Sequence, residues 1–116
     1  MGSFGGVTIP HAYSSTDQIV GYWIDGRAIY ERTVELSPEV TINANAWNNN
    51  VYSFGREVRV LNCEVYSYNA TYGIFVYMGF IGAQTVTNDR TKLALYNSRD
   101  AAFTAKYVTI RFMEVS

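Results

Sequence analysis

Gln18–Leu36 reads QIVGYWIDGRAIYERTVEL, and the Asp25-Gly26 pair at its centre decides the fold class. Asp-Gly between two apolar runs is the dipeptide that closes a two-residue β-hairpin through a type I′ turn, with both central residues at positive φ and a twist matched to the strands. The stretch therefore reads as two strands, Gln18–Ile24 and Arg27–Leu36. In that register Ile24 opposes Arg27, Trp23 opposes Ala28, Tyr22 opposes Ile29 and Gly21 opposes Tyr30. Directly opposed residues share a face, so both faces of the ribbon carry large apolar groups near the turn. One face can pack on the domain's own core; the other needs a returning segment or a second subunit.

The rest of the chain is written in the same alphabet. Ten Tyr, six Phe and two Trp, with frequent Val, Ile and Thr, favour pleated half-buried surfaces, because branched and aromatic side chains lose rotamer freedom in a helix. Turn-forming clusters recur at Ser37-Pro38, Asn48–Asn50, Asn69–Gly73, Asn88-Asp89 and Asn97–Asp100. Between them, Glu57–Tyr66 shows a phase slip: Val58 and Val60 share one face, whereas Leu61, Cys63 and Val65 share the other, which calls for a bulge near Leu61. Ile74–Ile81 is apolar on both faces and is expected to be a central strand, the most buried element, with a bend at Gly79. Thr91–Tyr96 alternates with Leu93 and Leu95 inward, and Lys106–Val115 alternates with Val108, Ile110 and Phe112 on one face. Ser98–Ala105 has room for one helical turn capped by Ser98. These elements predict an all-β fold, a single antiparallel β-sandwich of jelly-roll-like type over residues 11–116. Residues 1–10 begin MGSFGG and read as a loose tether or a cloning scar; if a tether, the expectation is that something upstream has been cut away.

Composition removes several classes of function. At 116 residues and 13.1 kDa the chain has room for one domain. A formal charge of −1 and a pI near 5.7 supply no positive field for phosphates, so nucleic acid is not an expected partner. The longest uncharged apolar stretch, Tyr72–Ala83, falls short of the roughly 20 residues of a membrane-spanning helix, and no membrane insertion is expected. With one cysteine there is no intrachain disulfide, and Cys63 among apolar neighbours reads as a small buried hydrophobe. His11 is the only histidine and sits after Pro10 in a segment expected to be untethered, with no triad motif around it. No pair of carboxylates stands out as a glycosidase couple, and the Asn runs lack the carboxylates of a calcium loop. No catalytic residue, metal or cofactor is therefore assigned.

One stretch has the composition of a sugar site. NANAWNNNVYSF sets Trp47 among Asn43, Asn45, Asn48, Asn49 and Asn50, with Tyr52 and Phe54 close behind. A sugar offers a CH-rich face to an aromatic ring and hydroxyls to amides, which both donate and accept. Trp47, Asn45, Asn48, Asn49 and Tyr52 are the candidate ligand contacts; the alternative is that the Asn residues build turns while Trp47 fills a core edge or a subunit interface. Tyr66, Tyr68 and Tyr72 around Asn69 form a second aromatic group.

Tyr13–Thr33, YSSTDQIVGYWIDGRAIYERT, resembles a segment of the C-terminal domains of tail-fibre, head-fibre and other virion proteins of bacteriophages and prophages, chiefly of Gram-positive and gut bacteria. That segment runs as a tyrosine and serine, Thr, an acidic residue and Glu or Gln, then VVGxWIDGKPxYxxT. Tyr13, Ser14, Thr16, Asp17, Gln18, Val20, Gly21, Trp23, Ile24, Asp25, Gly26, Tyr30 and Thr33 coincide, with Arg27 for the usual Lys and Ala28 for the usual Pro. Lys106–Phe112, KYVTIRF, is similar in placement to the last strand of those domains. The resemblance covers about a fifth of the chain and implies a non-catalytic β-sandwich module at the end of a fibre-type virion protein, a homotrimer; the expected role is adhesion, with a bacterial-surface glycan as the expected partner, or structural capping. It carries no site residue across; a free-standing carbohydrate-binding module or lectin is the other class in view.

Overall fold

The computed structural model describes residues 3–4, 7–8, 11–79 and 81–115, the first four by their backbone alone. All regular structure there is strand: Ser3–Phe4 (β1), Val7–Thr8 (β2), Gln18–Tyr22 (β3), Ala28–Ile42 (β4), Ala46–Ser53 (β5), Val58–Asn69 (β6), Ile74–Tyr77 (β7), Ile81–Val86 (β8), Asp89–Asn97 (β9) and Phe103–Glu114 (β10). β1 and β2 pair with each other; the rest of the expected tether, residues 1–2, 5–6 and 9–10, lies outside the described residues. The other strands form two antiparallel sheets, β3-β4-β10-β6-β7 and β5-β9-β8. Their facing sides enclose one core, so the fold is an all-β antiparallel sandwich, as the alternation predicts. β4 pairs with β10 and β5 with β9, the nested pairing of a ribbon rolled over on itself. The next nested pair of a full jelly roll does not form, because β6 takes β7 as a hairpin partner and β8 stays with β9.

β10 holds the centre of the larger sheet because both of its sides can be buried. Val108, Ile110 and Phe112 are 0% exposed and meet Leu93 and Leu95 from β9 in the core, each large side chain contributing about 1.5–3 kcal/mol by leaving water. On the other side Thr109 hydrogen-bonds Thr33 hydroxyl to hydroxyl at 2.8 Å. The phase slip in β6 resolves at the expected residue: Arg111 pairs with Asn62 and Phe112 with Val60, leaving Leu61 as the bulge. Val58 and Val65, which an unbroken strand would point to opposite faces, thereby both reach the core.

Four expectations need correction. The Asp25-Gly26 turn is wider than a type I′ turn: Tyr22 pairs with Ala28 and Gly21 with Ile29. Gly26 donates to the Trp23 carbonyl at 2.9 Å and Trp23 to the Arg27 carbonyl at 2.8 Å, and positive φ occurs at Gly26 (+90°) with Asp25 outside that region. This is the three-residue loop in which a type I turn is followed by a glycine bulge. Asp25 supports it by accepting from Arg27 N at 3.1 Å and Arg27 Nε at 2.8 Å. A second irregularity at Val20 brings Ile19 opposite Tyr30, and Tyr30 turns inward to stack on Phe112 with ring centroids 5.9 Å apart.

Ile74–Ile81 is not a central strand. Its first half is β7, the outermost strand of the larger sheet, with Ile74, Phe75, Val76 and Tyr77 all exposed. The turn after Asn69 lays β7 against β6, and no strand among the described residues pairs with its far side. The bend expected at Gly79 falls where the chain leaves this sheet, after Met78 has plugged the core with its N–H on the Val65 carbonyl at 2.9 Å. Residues 98–102 form a bend instead of a helical turn, because the buried Asn97 side chain takes over: its Oδ1 accepts from Arg99 N and its Nδ2 donates to the carbonyls of Ile42, Asn43 and Ala101. Ser37-Pro38 lies inside β4, as the widened segment opposite Lys106 where the ladder shifts between Ala105 and Tyr107; a proline, lacking N–H, suits such a break in pairing.

Candidate functional site

The smaller sheet turns one face outward, and there the structure assembles part of the expected sugar site. Trp47 on β5 sits opposite Tyr96 on β9, ring centroids 5.2 Å apart and tilted by 48°. Gly82 on β8 lies beside this pair, where a Cβ would sit 3.4 Å from Tyr96 Cβ and 3.8 Å from the Trp47 ring, in ordinary contact with both. Trp47 remains 46% exposed and forms one wall of a shallow concavity of about 390 Å³ completed by Asn49, Gln84, Val86, Thr87 and Asn88. Aromatic face and amides thus converge on one surface.

The other expected contacts lie elsewhere. Asn48 opposes Leu95 on the inner side, and its amide is spent on the Thr41 carbonyl at 3.1 Å and on Asn50 N at 2.8 Å. Asn45 occupies the turn between β4 and β5 with φ of +52°, its N–H on the Arg99 carbonyl at 3.1 Å. Tyr52 opposes Leu93, packs edge-on against Phe54 and accepts from Arg32 Nη1 at 2.5 Å, so it faces the core rim away from Trp47. Alternation alone puts Tyr52, five residues on from the outward Trp47, on the inner side; the irregularity between Asn48 and Tyr52 instead lets Val51 reach the core as well. Gln84, Thr87, Asn88 and Tyr96 are the contributors that sequence reasoning passed over; the alternation that sends Leu93 and Leu95 inward already sends Tyr96 outward. Around the second aromatic group, Asn69 Oδ1 accepts from Thr71 N and Tyr72 N and thereby shapes the tip, while Tyr66 is drawn to a different cluster.

That cluster covers the outward face of the larger sheet. Arg111 on β10 sits between two carboxylates, 2.9 Å from Glu31 Oε2 on β4 at ion-pair distance without hydrogen-bond alignment, and 3.0 Å from Glu64 Oε2 on β6. Glu31 is 1% exposed and its Oε1 also meets His11 Nε2 at 2.6 Å and Gln18 Nε2 at 3.3 Å. His11, expected in an untethered segment, is therefore anchored on the sheet, and Thr33 N donating to the Ser14 carbonyl at 2.7 Å holds the intervening chain along β4. Glu64 Oε1 accepts from Tyr13 and Tyr66 hydroxyls, both at 3.2 Å. Burial acts to raise the Glu64 carboxyl, but Arg111 and the two phenols outweigh it and hold it below the ordinary range. Burial and the neighbouring Glu64 charge in turn push the Tyr66 phenol up to about 12, and the Glu64 charge raises Tyr13.

At the rim between the sheets, Asp17 pairs with Arg32 Nε at 2.7 Å and Arg56 Nη2 at 3.0 Å. Here too burial is opposed by the two guanidinium groups, which hold the carboxyl below its ordinary value. Cys63 packs against the core, and burial pushes its thiol up to about 12.

The chain has no match among protein-family models, curated proteins or solved structures. Function must therefore be argued from its surface. The largest apolar exposures lie at the two opposite edges of the larger sheet: Ile19, Tyr22, Trp23 and the 96% exposed Ile24 on the β3 side, and Tyr68, Tyr72 and Ile74–Tyr77 on the β7 side. With aromatic side chains burying roughly 150–250 Å² each, the β7 patch is on the order of 600 Å², large for a surface that faces only water.

Proposed function

We propose that this chain is a non-catalytic domain of a phage fibre-type virion protein that assembles as a homotrimer and presents the Trp47 concavity to a glycan of the bacterial surface. The observation that carries the reading is the pair of apolar edges on one sheet, β3 with its hairpin tip and β7 with its aromatic row. Opposite edges of one sheet are suited to head-to-tail contact between copies, which closes into a ring when the rotation allows. An open apolar strand edge is an aggregation hazard unless something covers it. The Tyr13–Thr33 likeness to virion domains supports the same reading, since it coincides with the segment that lies along β4 and ends in the exposed hairpin.

A free-standing carbohydrate-binding module is the second reading, favoured by the same Trp47, Asn49, Gln84 and Asn88 grouping. Light scattering separates the two. The fibre reading expects a mass three times the 13.1 kDa of one chain, falling to that of one chain in Ile24→Lys or Tyr77→Lys with the β-sheet circular dichroism intact. A single-chain mass for the unaltered protein at every concentration overturns it, and glycan-array binding lost in Trp47→Ala would then select the module.

A further inference from the structure

A cleft of about 230 Å³ on the outward face of the larger sheet is lined by Tyr13, Thr33, Tyr66, Phe75, Tyr107 and Thr109. Its four rings come from four separate segments: the chain ahead of β3, then β6, β7 and β10. Phe75 and Tyr107 meet edge-on at 5.4 Å. Most polar groups of the lining are already engaged, the two threonine hydroxyls with each other at 2.8 Å and the Tyr13 and Tyr66 hydroxyls with Glu64, which leaves the Tyr107 hydroxyl. A sugar, which needs several free donors and acceptors around its ring, finds few there. A primary ammonium, with three N–H groups to satisfy, is equally unsuited.

Charge around the cleft points the other way. The flanking pairs set four carboxylates, Glu31, Glu35, Glu39 and Glu64, against Arg111, Lys106 and the His11 imidazole. Lys106 Nζ lies 6.0 Å from the Tyr107 ring centroid, so that ring is already within reach of a cation. Electron-rich rings in a negative surround attract a positive group that asks for no hydrogen bonds. We infer that this cleft binds a quaternary ammonium group, a small soluble trimethylammonium compound whose methyls contact the rings while the Glu64 side supplies the counter-charge. The site is separate from the Trp47 concavity and shares only Phe75 with the β7 edge proposed above to meet another copy.

The probe is choline chloride, titrated into the full chain while the backbone amide signals of Thr33 and Thr109 are followed by NMR. Saturable shifts at those amides are expected, with 3,3-dimethylbutanol, the uncharged carbon isostere, binding at least about fivefold more weakly because it lacks the cation–π term. Phe75→Ala, at an exposed position, should weaken choline by about the same factor, and Glu64→Gln should weaken choline but not the isostere. Arg90→Ala, at an exposed position on β9 in the other sheet, serves as the control and retains binding. No saturable shift with choline, or equal binding of the isostere, overturns the inference; so does N-acetylglucosamine shifting the same amides in place of choline.

Discussion

Gly26→Val is the sharpest probe of the hairpin. Gly26 holds φ of +90°, and a Cβ placed there would meet nothing within 4 Å. The penalty is therefore purely one of backbone conformation, free of any packing change. A β-branched residue at positive φ costs about 2 kcal/mol, applied here to a turn closed by only two backbone hydrogen bonds. For a domain of this size that lowers Tm by about 8 °C. Scanning calorimetry at fixed protomer concentration reads it, because assembly makes Tm concentration-dependent. Gly26→Asn should lose about half as much, since asparagine tolerates the left-handed region. Asp25→Gly separates the two candidate turns by sign. In the observed turn Asp25 is outside positive φ and its carboxylate serves Arg27, so the substitution lowers Tm; in a type I′ turn a glycine at that position would relieve strain and raise it. An unchanged Tm for Gly26→Val, or a raised one for Asp25→Gly, would refute the turn described here.

Phe112→Ala removes a fully buried ring packed between Tyr30 and Phe54 and should cost about 3–5 kcal/mol in urea unfolding. Acid stability follows from two depressed carboxyls. Asp17 and Glu64 both lie below their ordinary values of 3.8 and 4.5 in the folded chain, so the stability they contribute is complete above those values and is lost as pH falls through the lower folded ones. A pH series of melting curves should be flat above about pH 5 and fall steeply below about pH 4, with Asp17→Asn shallower. Cys63, its thiol pushed up to about 12, should resist a thiol reagent at pH 8 until the chain is unfolded; immediate labelling of the native protein would contradict its placement.

Much of this fold is legible in the sequence, for identifiable reasons. Alternation in Lys106–Val115 marks β10 because one face is fully apolar, and the phase slip at Leu61 reveals a bulge because Val58 and Val65 have to share a face. The hairpin is visible in Asp25-Gly26, but its width is not, since Asp-Gly serves both a type I′ turn and a type I turn followed by a glycine bulge. Ile74–Tyr77 misleads for a physical reason: a strand apolar on both faces describes a central strand and equally an edge whose cover comes from outside the chain. At the sites, Trp47 and Asn49 are recoverable from composition, whereas Tyr52, an odd number of positions from Trp47, belongs to the opposite face, which composition does not register and period-two alternation does. The Glu31–Arg111–Glu64 cluster and its four-ring neighbour draw on residues from the N-terminal segment to β10, brought together only by sheet order.

The central claim is that the β3 and β7 edges of one sheet are covered by other copies of the chain. Amide hydrogen exchange across Ile19–Tyr22 and Ile74–Tyr77 tests it directly. The account predicts slow exchange at both edges in the concentrated protein, released on dilution and in Ile24→Lys, while β10 stays protected throughout. Rapid exchange at both edges at every concentration, with β10 protected, would contradict it.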